Sequence, residues 1–219
     1  HRLAKIFIFL ITLPAILLLL SSTVSAGSAD YFSLLHYFGT LGSGNGQFSY
    51  PEGATNDNTG NLYVTDSGND RIQKFNKSGT FQMNIGSSGS GNGQFQYPSD
   101  VAVDTSGNIY VIDRNRFDVQ KFNSSGVYQT KFGSWGDGQG QFKIPYGIAV
   151  DSSGNVYVAD SGNDRIQKFN SSGVFLATYG SLGSGNGQFS FPNDIAVDNS
   201  GNMYISDTGN YRIQKLSPT

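Results

Sequence analysis

The sequence predicts an all-β fold made of four copies of one four-stranded unit, and three observations carry that reading. The string Asp160-Ser-Gly-Asn-Asp-Arg-Ile-Gln-Lys-Phe-Asn170 occurs letter for letter at 66–76. It returns altered at 113–123 and 207–216, with 47 residues between copies. Gly is abundant at 29 residues, and 12 Tyr with 16 Phe supply the aromatic content of strands joined by turns. Within each period the apolar residues come in short runs and none shows a helical pattern.

Each period reads in the same order. A Gly-rich loop such as Gly42-Ser-Gly-Asn-Gly-Gln-Phe48 ends at Pro51, with counterparts ending at Pro98, Pro145 and Pro192. A short apolar run follows: Val101-Ala-Val103, Ile148-Ala-Val150, Ile195-Ala-Val197 and the weaker Ala54-Thr-Asn56. An Asp-x-x-Gly-Asn turn comes next, at Asp57, Asp104, Asp151 and Asp198, where Asp closes an Asx-turn and Gly takes the positive φ. The second run, Leu62-Tyr-Val64 and its copies, has large residues on both sides, which predicts a strand covered on both faces. The third, Arg71-Ile-Gln-Lys-Phe75, is more polar and is expected further out. The fourth, Phe81-Gln-Met-Asn-Ile85, alternates and is expected half exposed. Four short strands per period, joined by tight turns, describe one blade of a β-propeller.

The order Gly-Gln-Phe, Pro, apolar-Ala-Val-Asp, Gly-Asn, Tyr-Val and Asp-Ser-Gly-Asn-x-Arg-Ile-Gln-Lys-Phe resembles the NHL repeat, as found in secreted prokaryotic proteins, over 39–216. The histidine that helps name that family is Asp70, Phe117, Asp164 or Tyr211 here, and the second copy has Asp118-Val119 in place of Arg-Ile. The resemblance implies a propeller, usually of about six blades. The last copy stops after its third strand, while 34–38 aligns with 81–85 as a fourth strand without a blade. Pairing the two would close a four-bladed ring, monomeric and without a long exposed edge. An open arc, or part of a six-bladed ring, is the alternative.

Residues 1–26 have the layout of a secretory signal: basic Arg2 and Lys5, an apolar run over 6–20, then small residues to Ala26. The run is short of the roughly 20 apolar residues of a spanning helix. The expectation is therefore a signal at 1–26, no stable membrane span after cleavage, a propeller domain over 31–219, and a secreted or cell-surface location. The net charge is −2, and removing Arg2 and Lys5 leaves twelve basic against sixteen acidic residues. That balance argues against nucleic acid as a partner, although RNA binding is known among proteins similar to this one. Absence of cysteine removes thiol catalysis and Cys-based zinc sites.

The repeated acids Asp66, Asp113, Asp160 and Asp207 precede turns and are read as structural, with Arg71, Arg165 and Arg212 as partners inside each blade. His36 is the single histidine beyond residue 26, so the several-histidine zinc site of lyases in the resembling family is not met. Asn76, Asn123 and Asn170 match the N-glycosylation pattern, and a plain turn explains them equally. Differences between copies say more. The second-copy turn becomes Arg114-Asn-Arg-Phe-Asp118, and the neighbouring loop gains Trp135, Asp137 and Lys143. Arg114, Arg116, Phe117, Trp135 and Tyr146 are the expected contact residues of a module that binds a protein or surface glycan on its loop face. The rival is a hydrolase or lyase holding Ca²⁺ or Mg²⁺ on Glu52, Asp100 and Asp194 at the channel mouth. Otherwise no cofactor is expected.

Overall fold

The structure, a computed structural model, describes residues 38–218. Two short strands, β1 (Thr40–Leu41) and β2 (Gln47–Phe48), pair in parallel across the first Gly-rich loop. Blade 1 runs β3 (Pro51–Asn56), β4 (Leu62–Asp66), β5 (Arg71–Phe75) and β6 (Phe81–Ile85). Blade 2 comprises β7 (Pro98–Val103), β8 (Ile109–Asp113), β9 (Asp118–Phe122) and β10 (Tyr128–Phe132). Blade 3 is β11 (Pro145–Val150), β12 (Val156–Asp160), β13 (Arg165–Phe169) and β14 (Phe175–Tyr179). Blade 4 has β15 (Pro192–Val197), β16 (Met203–Asp207) and β17 (Arg212–Leu216). Each blade is an antiparallel meander in chain order, so the four repeats are four blades of a propeller.

The turns form for the reasons the residues suggest. Asp151 Oδ1 accepts from the backbone N–H of Ser153 and Asn155, both at 2.9 Å, which fixes the first hairpin of blade 3. Asn170 does the same for Ser172 and Val174 in the outer hairpin, a turn role that Asn76 and Asn123 share. The second strands of blades 1–3 are covered on both faces, with every residue of β8 and β12 buried, whereas β16 of blade 4 alternates between buried and partly exposed residues. The third strands differ from expectation. Gln73, Gln120 and Gln167 are fully buried, because each amide reaches back to the Gly-rich loop. Gln167 donates to the Gln141 carbonyl at 2.7 Å and accepts from Gly140 N–H at 2.9 Å. A polar strand residue thus satisfies buried loop backbone.

The core lies between blades. Tyr63, Ile72 and Ile85 on the exit face of blade 1 pack on Phe95, Val101, Ile109 and Val111 of blade 2. Blade 2 packs the same way on blade 3 through Val119 and Phe142, and blade 3 on blade 4 through Ile166 and Phe189. Burying each such side chain contributes about 1.5–3 kcal/mol. A blade is therefore stabilised chiefly by its neighbours.

The inner strands pack in the order β3, β7, β11, β15, and among the described residues no comparable packing joins β15 to β3. Ile213 of β17 is 63% exposed, whereas its counterparts Ile72, Val119 and Ile166 are fully buried. The described blades run as an arc, and among the described residues nothing covers the last exit face. The proposed closing strand, 34–38, lies outside the described residues except for Phe38, and so do the signal reading at 1–26 and His36. No helix among the described residues is long and apolar enough to cross a membrane.

Candidate functional site

The four turn acids hold the blades together from inside. Asp160 is fully buried and accepts from Lys143 N–H at 2.8 Å, Asn163 at 2.9 Å, Arg165 Nε at 2.7 Å and Gln167 at 3.0 Å. Arg165 in turn donates to the Gly138 and Gln141 carbonyls, so one carboxylate anchors the turn, the third strand and the Gly-rich loop. Asp66 and Asp207 make the same set. Their role is structural, with Arg71, Arg165 and Arg212 each paired at 2.7 Å to the acid of its own blade, as the sequence suggested. Such acids have no free oxygen for a substrate.

Blade 2 solves the same problem with different residues. Arg116 donates to the Gly89 and Gly91 carbonyls at 3.3 and 3.2 Å and pairs with Asp118 at 3.2 Å. It does the work that Asn163 and Arg165 share in blade 3. Its side chain is 6% exposed, so Arg116 is not offered to a partner, contrary to the expectation for the turn. Phe117 is likewise half-buried and packs against the core between blades 2 and 3. Burial pushes the Asp113 carboxyl up to about 6, against hydrogen bonds from Gln96 and Arg116 N–H, and nearby Asp118 adds to the rise. Asp118 is also raised by burial, and its Oδ1 has no hydrogen-bond partner.

That rearrangement sends Arg114 onto the loop face. Blades 1 and 3 have Ser67 and Ser161 there, each donating to the next blade's Pro98 or Pro192 carbonyl at 2.6 Å. The Arg114 guanidinium instead lies between two rings, 4.4 Å from the centroid of Tyr97 and 4.8 Å from that of Tyr146, and donates to the Tyr146 hydroxyl. Tyr97 donates to Glu52 Oε1 at 2.6 Å, and the Tyr146 ring meets Phe191 edge-on at 6.0 Å. Burial, then the Glu52 carboxylate, pushes the Tyr97 hydroxyl up to about 12. Glu52, Tyr97, Arg114, Tyr146 and Phe191 thereby form a continuous ladder across all four blades.

Exposed apolar residues flank it. Trp135 is 65% exposed with Lys143 Nζ 5.7 Å from its ring, and Lys143 pairs with Asp137 at 3.3 Å. Tyr50 is 73% and Ile144 43% exposed, each immediately before the blade's proline. Both hold left-handed backbone, as does Phe191, at φ 48°, 47° and 51°. Non-glycine residues there cost about 1–3 kcal/mol each and cluster at binding surfaces.

The structure thus brings Arg114, Tyr146 and Trp135 to the surface and adds Tyr97 and Phe191, which the sequence reading missed. A signal for them was present: aromatic residues stand before the proline in three of four copies, at Tyr50, Tyr97 and Phe191. Glu52, Asp100 and Asp194 do not assemble. Asp100 accepts from Val101 and Ile148 N–H at 2.8 and 2.9 Å, which ties β7 to β11, and Glu52 holds Tyr97. A Cβ on Gly53 would fall 2.4 Å from Asp100 Oδ1, so blade 1 has no side chain where blade 2 has its acid. Among the described residues no three His, Cys, Asp or Glu side chains gather as a metal site.

Comparison with known proteins places this geometry. The family model described as the NHL repeat matches 142–169 and 189–216, and one described as a 6-bladed beta-propeller matches 54–119. The chain carries NHL repeats. No curated protein matches the sequence. Among solved structures, this NHL-repeat chain is similar to a protein of unknown function from Bacteroides thetaiotaomicron, at 24% identity and TM-score 0.62 over 76% of this chain and 47% of that one. It is also similar to a nidogen/laminin complex, at 20% identity and TM-score 0.60 over 77% and 60%. A third is catalytically inactive virginiamycin B lyase from Staphylococcus aureus with quinupristin, at 16% identity and TM-score 0.58 over 77% and 53%. The NHL-repeat chain spans about half the length of these structures, and at such identities they share its fold alone.

Proposed function

We propose that this NHL-repeat chain is an exported binding module that takes a protein or surface-glycan partner on the loop face of blades 2 and 3. The observation that carries the reading is Arg114 held between the Tyr97 and Tyr146 rings beside exposed Trp135. Pre-set aromatic rings and a fixed guanidinium lose little rotamer freedom on binding, and Trp, Tyr and Arg are the residues that dominate contact energies. Ring faces stack on sugars as well as on apolar side chains. The nidogen/laminin complex gives a propeller of this fold in a protein assembly, which supports the class and not the partner. Export rests on the signal reading of 1–26.

The test is retention of glycan arrays and extracytoplasmic proteins on immobilised chain, with Arg114→Ala and Trp135→Ala compared in parallel. Each substitution is expected to weaken a retained partner at least about tenfold, the scale of a hot-spot truncation. A partner held equally by wild type and both variants contradicts the site.

A further inference from the structure

Five arginines lie within residues 38–218, and four of them are spent on the fold. Arg71, Arg165 and Arg212 each give Nε to the acid of their own blade at 2.7 Å and Nη2 to carbonyls of the Gly-rich loop. Arg116 pairs with Asp118 and donates to two carbonyls of its own loop.

Arg114 differs from all of them. Among the described residues it forms no ion pair, and Nη1 donating to the Tyr146 hydroxyl is its one side-chain hydrogen bond. The Tyr97 and Tyr146 rings hold the guanidinium at 4.4 and 4.8 Å, so its position is set without Nε or Nη2. Arg114 is half-buried, and the buried side-chain polar atoms without a partner among the described residues are Asp118 Oδ1 and Asn193 Oδ1. Nε and Nη2 therefore reach solvent. That edge is the fork that matches a carboxylate with two parallel N–H···O bonds. The acids nearby are otherwise engaged: Glu52 accepts from the Tyr97 hydroxyl at 2.6 Å, and Asp137 pairs with Lys143 at 3.3 Å. A partly desolvated cation without a counter-ion favours an anion supplied from outside.

We infer that the Nε–Nη2 edge of Arg114 binds a carboxylate of the partner, carried on a hexuronate residue of a surface glycan. The inference rests on the loop face being a binding surface and names the group recognised there. A hexuronate joins one carboxylate to a pyranose whose C–H face stacks on an exposed ring such as Trp135. An acid-rich peptide would bring several charges to a chain whose sixteen acidic residues already exceed its fourteen basic ones. One open fork fits one carboxylate.

The test follows the Arg114 Nε–H resonance of isotope-labelled full-length chain while glucuronate, its methyl ester or N-acetylglutamate is added at constant ionic strength. Glucuronate is expected to shift the resonance saturably, and the uncharged ester, which keeps the sugar ring, to bind at least about tenfold more weakly. Arg114→Lys keeps the charge and loses the fork. It is expected to weaken glucuronate at least about tenfold by calorimetry, with an unchanged circular dichroism spectrum. A resonance that ignores glucuronate, or responds equally to the ester, overturns the carboxylate site, and tighter binding of N-acetylglutamate overturns the glycan carrier. A neutral partner retained through Arg114 and Trp135 would remove this inference and leave the binding module standing. Saturable glucuronate binding with no macromolecule retained would do the reverse.

Discussion

Arg116 pairs with Asp118 at 3.2 Å in blade 2, where the other blades place Asn and Arg in the opposite arrangement around a buried acid. The pair is a relocated version of the same anchor, since Arg116 reaches the Gly89 and Gly91 carbonyls that Asn and Arg side chains serve elsewhere. Arg116→Ala is therefore expected to lower unfolding free energy by about 3 kcal/mol in urea titrations, the cost of stranding buried carboxylates. Restoring the repeat pattern with Arg116→Asn and Asp118→Arg together should recover most of it, with coupling of about 1–3 kcal/mol in the double-mutant cycle. Additive losses would contradict the relocation.

Asp160 and Asp151 stand in one blade but do different work. Asp160 is fully buried with four donors, whereas Asp151 orders a surface turn. Asp160→Ala is expected to cost about 3–5 kcal/mol because it leaves Arg165 unpaired in the interior. Asp151→Ala should cost nearer 1 kcal/mol, the scale of a lost side-chain cap. Equal midpoints in denaturant would refute the distinction.

Burial, with Asp118 beside it and Arg116 opposing, pushes the folded Asp113 carboxyl up to about 6 from an ordinary value of 3.8. Between those values the folded chain holds a proton that the unfolded chain has released. This group therefore makes stability fall as pH rises from about 4 to about 6, and the loss persists above that window. Asp118, raised by burial, acts in the same sense. Asp57 and Asp151 act oppositely. Although burial pulls them upward, hydrogen bonds from Asn61 and Asn155 hold them below 3.8, so their stabilisation is lost only as acid takes the pH below that value. In Asp113→Asn the fall between pH 4 and 6 is expected to shrink, as read by thermal midpoints across that range. An unchanged profile would mean that Asp113 does not titrate there.

Ile166 and Ile213 occupy the same place in consecutive blades, one fully buried and the other 63% exposed. In dilute solution Ile166→Ala should cost about 2–4 kcal/mol, the range for a core truncation, and Ile213→Ala under about 0.5 kcal/mol. Comparable losses would place both in a core.

Most of the fold was legible because the repeat states the first three strands and their turns four times over and the fourth strand three times. The strand order, the Asp57-type turns and the doubly covered β4 and β12 follow from period and turn chemistry. Burial of Gln73 was not legible: its partners lie in a loop 26 residues away, and local polarity points outward. The sequence left a closed ring and an open arc as alternatives, since closure depends on packing angles between blades and not on any residue pattern. At the candidate site, Arg114, Trp135 and Tyr146 stood out as departures from the repeat. Arg116 misled for the same reason: a departure marks change, and here the change preserved a buried anchor. Tyr97 escaped because only its contact with Arg114, across the seam, gives it meaning.

Trp135 is the sole tryptophan and stands 65% exposed beside Lys143, so its emission reports on the loop face alone. A partner retained by the immobilised chain, titrated into wild type and into Arg114→Ala, is expected to shift or quench that emission saturably. The half-saturation point should move at least about tenfold higher in the variant. Saturable binding by calorimetry with Trp135 emission unchanged, or an Arg114→Ala curve that overlays wild type, would contradict a binding site on the seam of blades 2 and 3.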